Sequence, residues 1–258
     1  MLVALMNNKV IYSVDRGIAR ITLNRPEKRN ALDEELVAGI REALATSAAD
    51  EAVRVVLIRG AGKDFCSGAD LAALQRMQNA GVVDNLADAR RMGDLFLAMR
   101  RHPRLILAAV HGRALAGGCG IATAADIILA AESARFGYPE VTIGFVPAMV
   151  MAILRRSVSE RLSLELLTTG EIIPASRAAD IGMINRVYAD DKHDAEVESY
   201  VMHLASLSVS ALQLTKSLLY QVDGVSFESA LTAGVQVNAL ARMTEDCQQG
   251  IQQFLKKA

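Results

Sequence analysis

Two largely apolar runs constrain the fold of this chain more than any other feature of its sequence. They are Val53–Ile58, in which Arg54 is the one polar residue, and Leu105–Val110. Strands with one solvated face alternate apolar and polar residues, whereas runs of this kind are typical of strands covered on both faces. Helical segments lie before and between the runs, and the first of them follows the candidate cap Asp33. Alternating strands and helices predict a layered α/β core.

Weaker patterns extend this layout toward both ends of the chain. Alternating apolar residues over 10–14 and 18–23 predict two strands joined at Asp15–Gly17. We also expect a strand over Asp126–Ala130 and a late strand over Ile184–Val187. The helical patterns fall at about 70–77, 84–100, 147–155, 159–168, 175–180, 194–206, 209–220 and 226–256. We therefore expect a core domain over 1–190 and, over 191–258, a C-terminal helical section that forms oligomers.

Composition argues against several classes of function. The chain has 28 Lys and Arg against 29 Asp and Glu, without the basic surplus of nucleic-acid-binding domains. The three cysteines, Cys66, Cys119 and Cys247, lack CxxC spacing, which argues against a disulfide framework or a zinc site and favours a reducing cytoplasm. No stretch approaches the roughly 20 apolar residues of a membrane span. We expect a soluble cytoplasmic protein with no nucleic-acid or membrane partner.

The common catalytic signatures are absent from the sequence. It contains no GxSxG, HExxH, Walker or GxGxxG pattern. The four histidines have no ligand-like spacing: His102, His111, His193 and His203. We therefore expect neither a metal site nor a dinucleotide cofactor.

Two turns of small residues follow predicted strands and begin predicted helices. They are Ser67–Asp70 (SGAD) and Ala116–Cys119 (AGGC). The first N–H groups of a helix have no intrahelical acceptor, so two such turns that face each other could stabilise a developing oxyanion. Either turn alone is better explained as a packing device.

Glu140 is the candidate proton carrier. It lies among apolar residues that include Val141, Ile143 and Phe145. Partial removal from water raises the pKa of a carboxyl group, which suits it to proton transfer. From the local sequence alone, a surface glutamate after the turn residue Pro139 remains an equal alternative.

Taken together, these segments resemble the enoyl-CoA hydratase/isomerase (crotonase) superfamily over nearly the whole chain. The resemblance rests on the segments Leu23–Leu32 (LNRPEKRNAL), Ser67–Asp70, Ala116–Cys119, Phe136–Glu140 (FGYPE), Thr168–Gly182 and Gly250–Lys256. It implies a β-β-α superhelix core whose C-terminal helices build trimers, often paired into hexamers.

The resemblance also implies a substrate and its binding residues. The substrate is an acyl-CoA thioester, so coenzyme A is part of the substrate and no separate cofactor is expected. The thioester oxygen accepts hydrogen bonds from the N–H groups of Ala69 and Gly117. The implied contacts to substrate are Lys28, Arg29, Ala31, Ser67, Ala69, Asp70, Leu71, Gly117 and Gly118, with Phe254 and Lys256 from a neighbouring subunit. We expect Asp70 to cap a helix and Asp126 to be structural.

One position departs from the two-carboxylate hydratases of this superfamily. They carry a glutamate after the second turn, where this chain has Gly120, and a second glutamate at the place of Glu140. One carboxylate suffices to move a proton between C2 and C4, as Δ3,Δ2-enoyl-CoA isomerases do. Gly120 together with Asn85–Arg91, however, resembles bacterial methylglutaconyl-CoA-hydratase-like proteins, which are hydratases.

Three functions follow from these observations. We expect an enoyl-CoA hydratase, with an isomerase that uses Glu140 as its single proton shuttle as the first alternative. A CoA-binding protein that has lost efficient catalysis is an alternative of another class. Asp84, Asp88 and Asp94, in the helix predicted to cover the acyl group, are candidates for a second polar group.

Overall fold

The computed structural model of the chain describes residues 2–256, which form two sheets surrounded by helices. The strands are β1 (Leu2–Asn7), β2 (Val10–Asp15), β3 (Ile18–Leu23), β4 (Val55–Gly60), β5 (Leu105–Val110), β6 (Arg113–Leu115), β7 (Ile127–Ala131), β8 (Arg135–Gly137), β9 (Ile172–Pro174) and β10 (Arg186–Tyr188). The helices are α1 (Glu34–Ala49), α2 (Leu71–Asn79), α3 (Val82–Arg101), α4 (Gly117–Ala124), α5 (Ala148–Leu154), α6 (Glu160–Thr169), α7 (Ala175–Asp180), α8 (His193–Ser206), α9 (Val209–Gln221), α10 (Phe227–Arg242) and α11 (Glu245–Leu255).

The larger sheet confirms the predicted α/β class. Its strand order is β1-β2-β3-β4-β5-β7-β10. The first three strands form an antiparallel meander, and all later pairs, from β3 and β4 to β7 and β10, are parallel. Parallel neighbours require crossover connections, which the helices between them supply.

Strand β4 is covered on both faces, as its sequence predicts. Val56 and Ile58 belong to the main core, which includes the buried face of α1. Val55 and Leu57 face the other way and belong to a second core that includes Val201 of α8. Burying an aliphatic side chain of this size contributes about 1.5–3 kcal/mol. Packing on two faces therefore holds the centre of the sheet firmly in place.

The C-terminal helical section contains a break that the pattern did not predict. We expected one helix over 226–256, but α10 ends at Arg242 and α11 begins at Glu245. The hydroxyl of Thr244 accepts a hydrogen bond from the N–H of Cys247 at 3.3 Å and donates to the carbonyl of Ala241 at 2.7 Å. Thr244 thus caps α11 and separates it from α10. The apolar pattern over 226–256 is continuous although it belongs to two helices.

Several strands are absent from the sequence-based prediction. The edge strand β1 and the three-residue strands β6, β8 and β9 are too short or too irregular to show a period of two. The last strand lies at Arg186–Tyr188 and not at 184–187, because the N–H of Ile184 donates to the carbonyl of Ala178 at the end of α7.

Asp126 has the structural role expected of it. Its carboxylate accepts hydrogen bonds from the N–H of Ile106 at 2.7 Å, Lys216 Nζ at 2.7 Å and the Tyr220 hydroxyl at 2.5 Å. Lys216 and Tyr220 both belong to α9. This buried group therefore attaches the C-terminal section to the core. Within residues 2–256 no helix has the length and apolar character of a membrane span.

Candidate active site

Short parallel pairings bring the two small-residue turns and the Glu140 segment side by side. Cys66 pairs with Ala114, and Ala114 pairs in turn with Phe136 of β8. These three residues are in register on three parallel segments. The segments therefore end together, at Ala69, Gly117 and the turn that carries Glu140. The sequence located these segments, and the short sheet explains why they meet.

Backbone conformation exposes one N–H group at the end of each small-residue turn. Gly68, before Ala69, has φ +96°, and Ala116, before Gly117, has φ +50° and ψ −127°. Among the described residues, neither the Ala69 N–H nor the Gly117 N–H donates to a protein acceptor. A Cβ added to Gly68 would lie 3.0 Å from the Cβ of Ala116, so the two turns are in contact. Two unpaired amides thus lie on adjoining turns.

The conformation of Ala116 is strained. A non-glycine residue at positive φ costs on the order of 1–3 kcal/mol, and such residues cluster at functional sites. The Ala116 N–H is bound to the carbonyl of Gly137 at 2.9 Å, and its carbonyl accepts from the Gly120 N–H at 2.9 Å. Contacts on both sides of Ala116 therefore hold the backbone conformation that precedes the unpaired N–H of Gly117.

Arg25 supports the first turn, a role that sequence reasoning did not assign to it. Its guanidinium donates to Asp70 at 2.8 Å and to the carbonyl of Ala31 at 2.5 Å, and it contacts Asp33 at 3.1 Å. Asp70 caps α2, as expected, by accepting from the Ala72 N–H at 2.8 Å. Desolvation opposes ionisation of Asp70, but the hydrogen bonds from Arg25 and Ala72 outweigh it and lower the pKa of this carboxyl group.

The two segments expected to bind CoA lie next to each other. The N–H of Ser67 donates to the carbonyl of Arg29 at 3.0 Å, and the N–H of Leu32 donates to that of Gly68 at 2.7 Å. Lys28 and Arg29 are exposed, and Ala31 is buried. This edge therefore combines two exposed cationic side chains, of which Arg29 also lies 3.8 Å from the carboxylate of Asp64, with the backbone of the turn that ends at Ala69.

The remaining expected contacts to CoA have different surroundings. Leu71 begins α2 with an exposed side chain, whereas Gly118 is buried against Cys66. Phe254 lies in α11 and is 73% exposed, and Lys256 follows that helix. Helix α11 packs on α9 and α10. A contact of Phe254 and Lys256 with a neighbouring subunit stays a prediction.

Glu140 lies in a short 3₁₀ turn, Pro139–Ile143, between the core and solvent. Its Oε2 atom is buried and has no hydrogen-bond partner among residues 2–256. Burial raises the pKa of this carboxyl group, and a weaker backbone hydrogen bond acts in the opposite direction. A carboxyl group whose pKa is raised by desolvation holds a proton more readily than an exposed glutamate, which suits it to act as both base and acid.

Tyr138 and Thr123 join the Glu140 turn to helix α4. The Tyr138 hydroxyl lies 2.8 Å from the Thr123 hydroxyl, and Thr123 also bonds to the carbonyl of Cys119 at 2.9 Å. All three residues are buried. The sequence feature that could have indicated this contact is the position of Tyr138 within the FGYPE segment. A buried tyrosine at that position, however, is more simply interpreted as a core-packing residue.

Gly120 is closely packed by hydrocarbon. A Cβ at this position would lie 2.6 Å from Val150 Cγ1 and 2.9 Å from Phe96 Cζ. A separation below about 3 Å requires one of the groups to move. The place of the second carboxylate in two-carboxylate relatives is therefore filled by side chains from α3 and α5.

The aspartates of α3 do not supply an evident replacement. Asp84 and Asp94 are exposed, and Asp88 is paired with Arg91 at 3.0 Å. No carboxylate contributes to the raised pKa of Glu140. Within the described part of the chain, no group of three or more His, Cys, Asp or Glu side chains could hold a metal ion.

Known proteins resemble this chain over nearly its full length. A protein of Thermus thermophilus that carries a provisional enoyl-CoA hydratase name is 38% identical, covering 96% of this chain and 98% of that protein. The 2,3-dehydroadipyl-CoA hydratase of Escherichia coli is 33% identical, covering 97% of this chain and 96% of that protein. A crystal structure of enoyl-CoA hydratase from Mycobacterium smegmatis superposes with a TM-score of 0.92 at 32% identity and covers 97% of each chain.

The sequence model of the enoyl-CoA hydratase/isomerase family matches residues 13–258. The chain belongs to this family. The expected superfamily and the crotonase-like fold are thereby confirmed, whereas the methylglutaconyl-CoA-hydratase-like subgroup stays a prediction. The feature of this chain that departs from the two-carboxylate hydratases is Gly120, which is packed against apolar side chains.

Proposed function

We propose that this chain is an enoyl-CoA hydratase, which adds water across the α,β double bond of a 2-enoyl-CoA thioester. The observation that carries the proposal is the parallel pairing that brings two unpaired amides, at Ala69 and Gly117, beside the segment of Glu140, whose Oε2 atom is buried. Relatives with hydratase names, among them the Escherichia coli enzyme and a crotonyl-CoA hydratase of Syntrophomonas wolfei, support it.

The two amides would act on the thioester oxygen. Attack of water at Cβ moves negative charge onto this oxygen and produces an enolate. Donors that are already oriented stabilise such charge without reorganisation, and removal of one typically costs about 10²–10³ in rate. Ala69 and Gly117 fit this role because the preceding residues fix their backbone and because, within residues 2–256, neither N–H donates to another acceptor.

Glu140 would move the proton in the same reaction. As a carboxylate it accepts a proton from water while the water oxygen bonds to Cβ. It then donates that proton to Cα of the enolate, which restores the carboxylate and completes the addition. Its raised pKa suits a group that must act as base and then as acid.

Isomerisation is the second candidate, and the packing at Gly120 favours it. Val150 and Phe96 fill the position of a second carboxylate, so Glu140 is the single acid–base group that we assign. One such group can remove a proton from C2 of a 3-enoyl-CoA and return it at C4. The isomerase and the hydratase would share the Ala69 and Gly117 amides.

Absorbance of the conjugated thioester separates these candidates. A hydratase causes this absorbance to fall when a 2-enoyl-CoA is supplied. An isomerase causes it to rise with a 3-enoyl-CoA and leaves the 2-enoyl-CoA without hydration product. A catalytically inactive CoA-binding protein changes neither signal, yet CoA would still raise its melting temperature. A panel of straight and branched acyl groups would test the methylglutaconyl-like subgroup.

We also propose that CoA binds along Lys28–Ala31 and Ser67–Leu71, and that the enzyme is a homotrimer or hexamer. The exposed cations Lys28 and Arg29 match the phosphates of CoA. Large apolar side chains of the C-terminal helices are exposed in the single chain, including Phe227 and Met243. Burial between subunits would remove them from water. Light scattering after gel filtration tests the assembly, and the cytoplasmic location remains a prediction from cysteine content.

A further inference from the structure

The hydroxyl of Tyr138 has a defined place in a buried chain of hydrogen bonds. Tyr138 is 1% exposed, and its hydroxyl oxygen lies 2.8 Å from Thr123 Oγ1. Thr123 donates its hydrogen to the carbonyl of Cys119, at 2.9 Å. Because the Thr123 hydrogen is used in that bond, the Tyr138 hydroxyl acts as donor to Thr123. The chain of bonds thus runs from Tyr138 through Thr123 to the backbone of α4.

This chain of bonds connects the two halves of the proposed site. Helix α4 begins at Gly117, one of the two oxyanion donors, and Thr123 lies in the same helix. Tyr138 precedes Glu140 by two residues, with only Pro139 between them, and a proline fixes the backbone φ angle. A shift of the Glu140 turn away from α4 would therefore have to break the Tyr138–Thr123 bond.

The opposite side of the Glu140 turn is also held. A Cβ at Gly170, which ends α6, would lie 3.3 Å from Cα of Pro139 and 3.3 Å from Cγ2 of Val141. The turn is thus confined between α6 on one side and α4 on the other. Among the described residues, the hydrogen bond between side chains next to this turn lies on the α4 side, between Tyr138 and Thr123.

We propose that Tyr138 and Thr123 are positioning residues, which fix the Glu140 carboxylate relative to the N–H of Gly117. The proposal rests on the proposed function, in which Gly117 binds the thioester oxygen and Glu140 transfers a proton at Cα and Cβ of the same substrate. These atoms are close neighbours in the substrate, so a small displacement of the base separates it from its proton. A misplacement of about 1 Å can cost on the order of 100-fold in rate.

Removing single hydroxyl groups tests the proposal. Tyr138→Phe keeps the aromatic ring in the core, and Thr123→Val keeps the branched shape of the side chain. For each variant we expect kcat to fall on the order of ten-fold while KM is unchanged, since substrate binding does not require the position of Glu140. Thr123→Ser retains the hydroxyl and should restore most of the rate.

Tyr12→Phe is the matched control. Tyr12 is also a buried tyrosine, but it lies on β2, and its hydroxyl has no hydrogen-bond partner among residues 2–256. Its replacement should leave kcat unchanged. A second control uses the absorbance shift of a bound 2-enoyl-CoA, which reports polarisation by the Ala69 and Gly117 amides. That shift should persist in Tyr138→Phe, because the oxyanion donors do not move.

Comparison with Glu140→Gln distinguishes failure of this inference from failure of the proposed function. If Glu140→Gln is inactive and Tyr138→Phe has full kcat, the positioning role is refuted and the proposed function stands. If Glu140→Gln is fully active, the proposed function itself fails. In the Glu140→Gln background, Tyr138→Phe should cause no further loss of the residual rate; an equal loss in both backgrounds would show a general structural role and overturn the inference.

Discussion

Val150 Cγ1 occupies the space into which a side chain at Gly120 would extend, 2.6 Å from the position of a Cβ. Phe96 contacts the same position from α3. The difference between this chain and two-carboxylate hydratases is therefore more than a missing group. The surrounding apolar side chains fill the space, so a larger side chain at Gly120 would require them to move.

Replacement of Gly120 by glutamate tests this closure. We expect Gly120→Glu to lower the free energy of unfolding by about 1–3 kcal/mol, as overpacking of a core does, and to leave hydratase activity no higher. Adding Val150→Ala should recover part of the lost stability, because it removes the nearest clash. Thermal unfolding measures both variants. Unchanged stability of Gly120→Glu would contradict the closed packing.

The N–H of Gly117 can be removed with little change to its helix. Gly117 is the first residue of α4, where the helix itself tolerates proline. The residue before a proline favours extended backbone, however, so Ala116, at φ +50° and ψ −127°, would have to change its conformation. We expect Gly117→Pro to reduce kcat about 100-fold or more, because one of two oxyanion donors is lost. Gly117→Ala is the matched control, since it keeps the N–H and its Cβ would meet only the flexible ends of Leu32, at 3.0 Å, and Met92, at 3.7 Å. Equal rates for the two folded variants would show that this N–H is not a donor to the substrate.

The raised pKa of Glu140 predicts how stability varies with pH. Its carboxyl group is more easily protonated in the folded chain than in the unfolded chain, so its favourable contribution is present at acid pH and is lost as pH rises through the folded-state pKa. Glu140→Gln should therefore melt at a higher temperature than the parent chain at neutral pH. The difference should shrink as pH falls below that pKa. A melting series in which the difference grows toward acid pH would contradict the raised pKa.

The Asp126–Lys216 pair should contribute more to stability than an exposed ion pair. Both side chains are almost fully buried, with Nζ and Oδ2 separated by 2.7 Å. Lys216→Met leaves a buried charge without its main partner and should cost about 3–5 kcal/mol of unfolding free energy. Asp194→Asn, which breaks the exposed pair with Arg59, should cost less than about 1 kcal/mol. Similar losses in chemical denaturation of both variants would refute the anchoring role.

The centre of the fold was predictable because its signal is strong and local. Strands such as Val55–Gly60 bury both faces, and the cap at Asp33 marks the start of α1 by accepting from the Leu36 N–H at 2.9 Å. The strand β8 gave no such signal, because three residues cannot show a period. The position of β8 follows from its pairing with β6. That pairing joins two separate segments, so no pattern within one segment predicts it.

The site was predictable only as separate segments. Chain order and family resemblance indicated Ala69, Gly117 and Glu140, but their approach depends on the pairing of Cys66 with Ala114. The apolar closure at Gly120 could not be predicted either. It requires Phe96 and Val150, from two different helices, to meet at one glycine, and no pattern within a single segment records such a contact.

The turnover of Glu140→Gln with a 2-enoyl-CoA tests the central claim most directly. The substitution keeps the size of the side chain and removes its ability to carry a proton. We predict a fall in kcat on the order of 10²–10⁴-fold with acyl-CoA affinity retained, while the exposed control Glu132→Gln keeps full activity. If Glu140→Gln turns over at the rate of the parent chain, proton transfer by Glu140 is wrong.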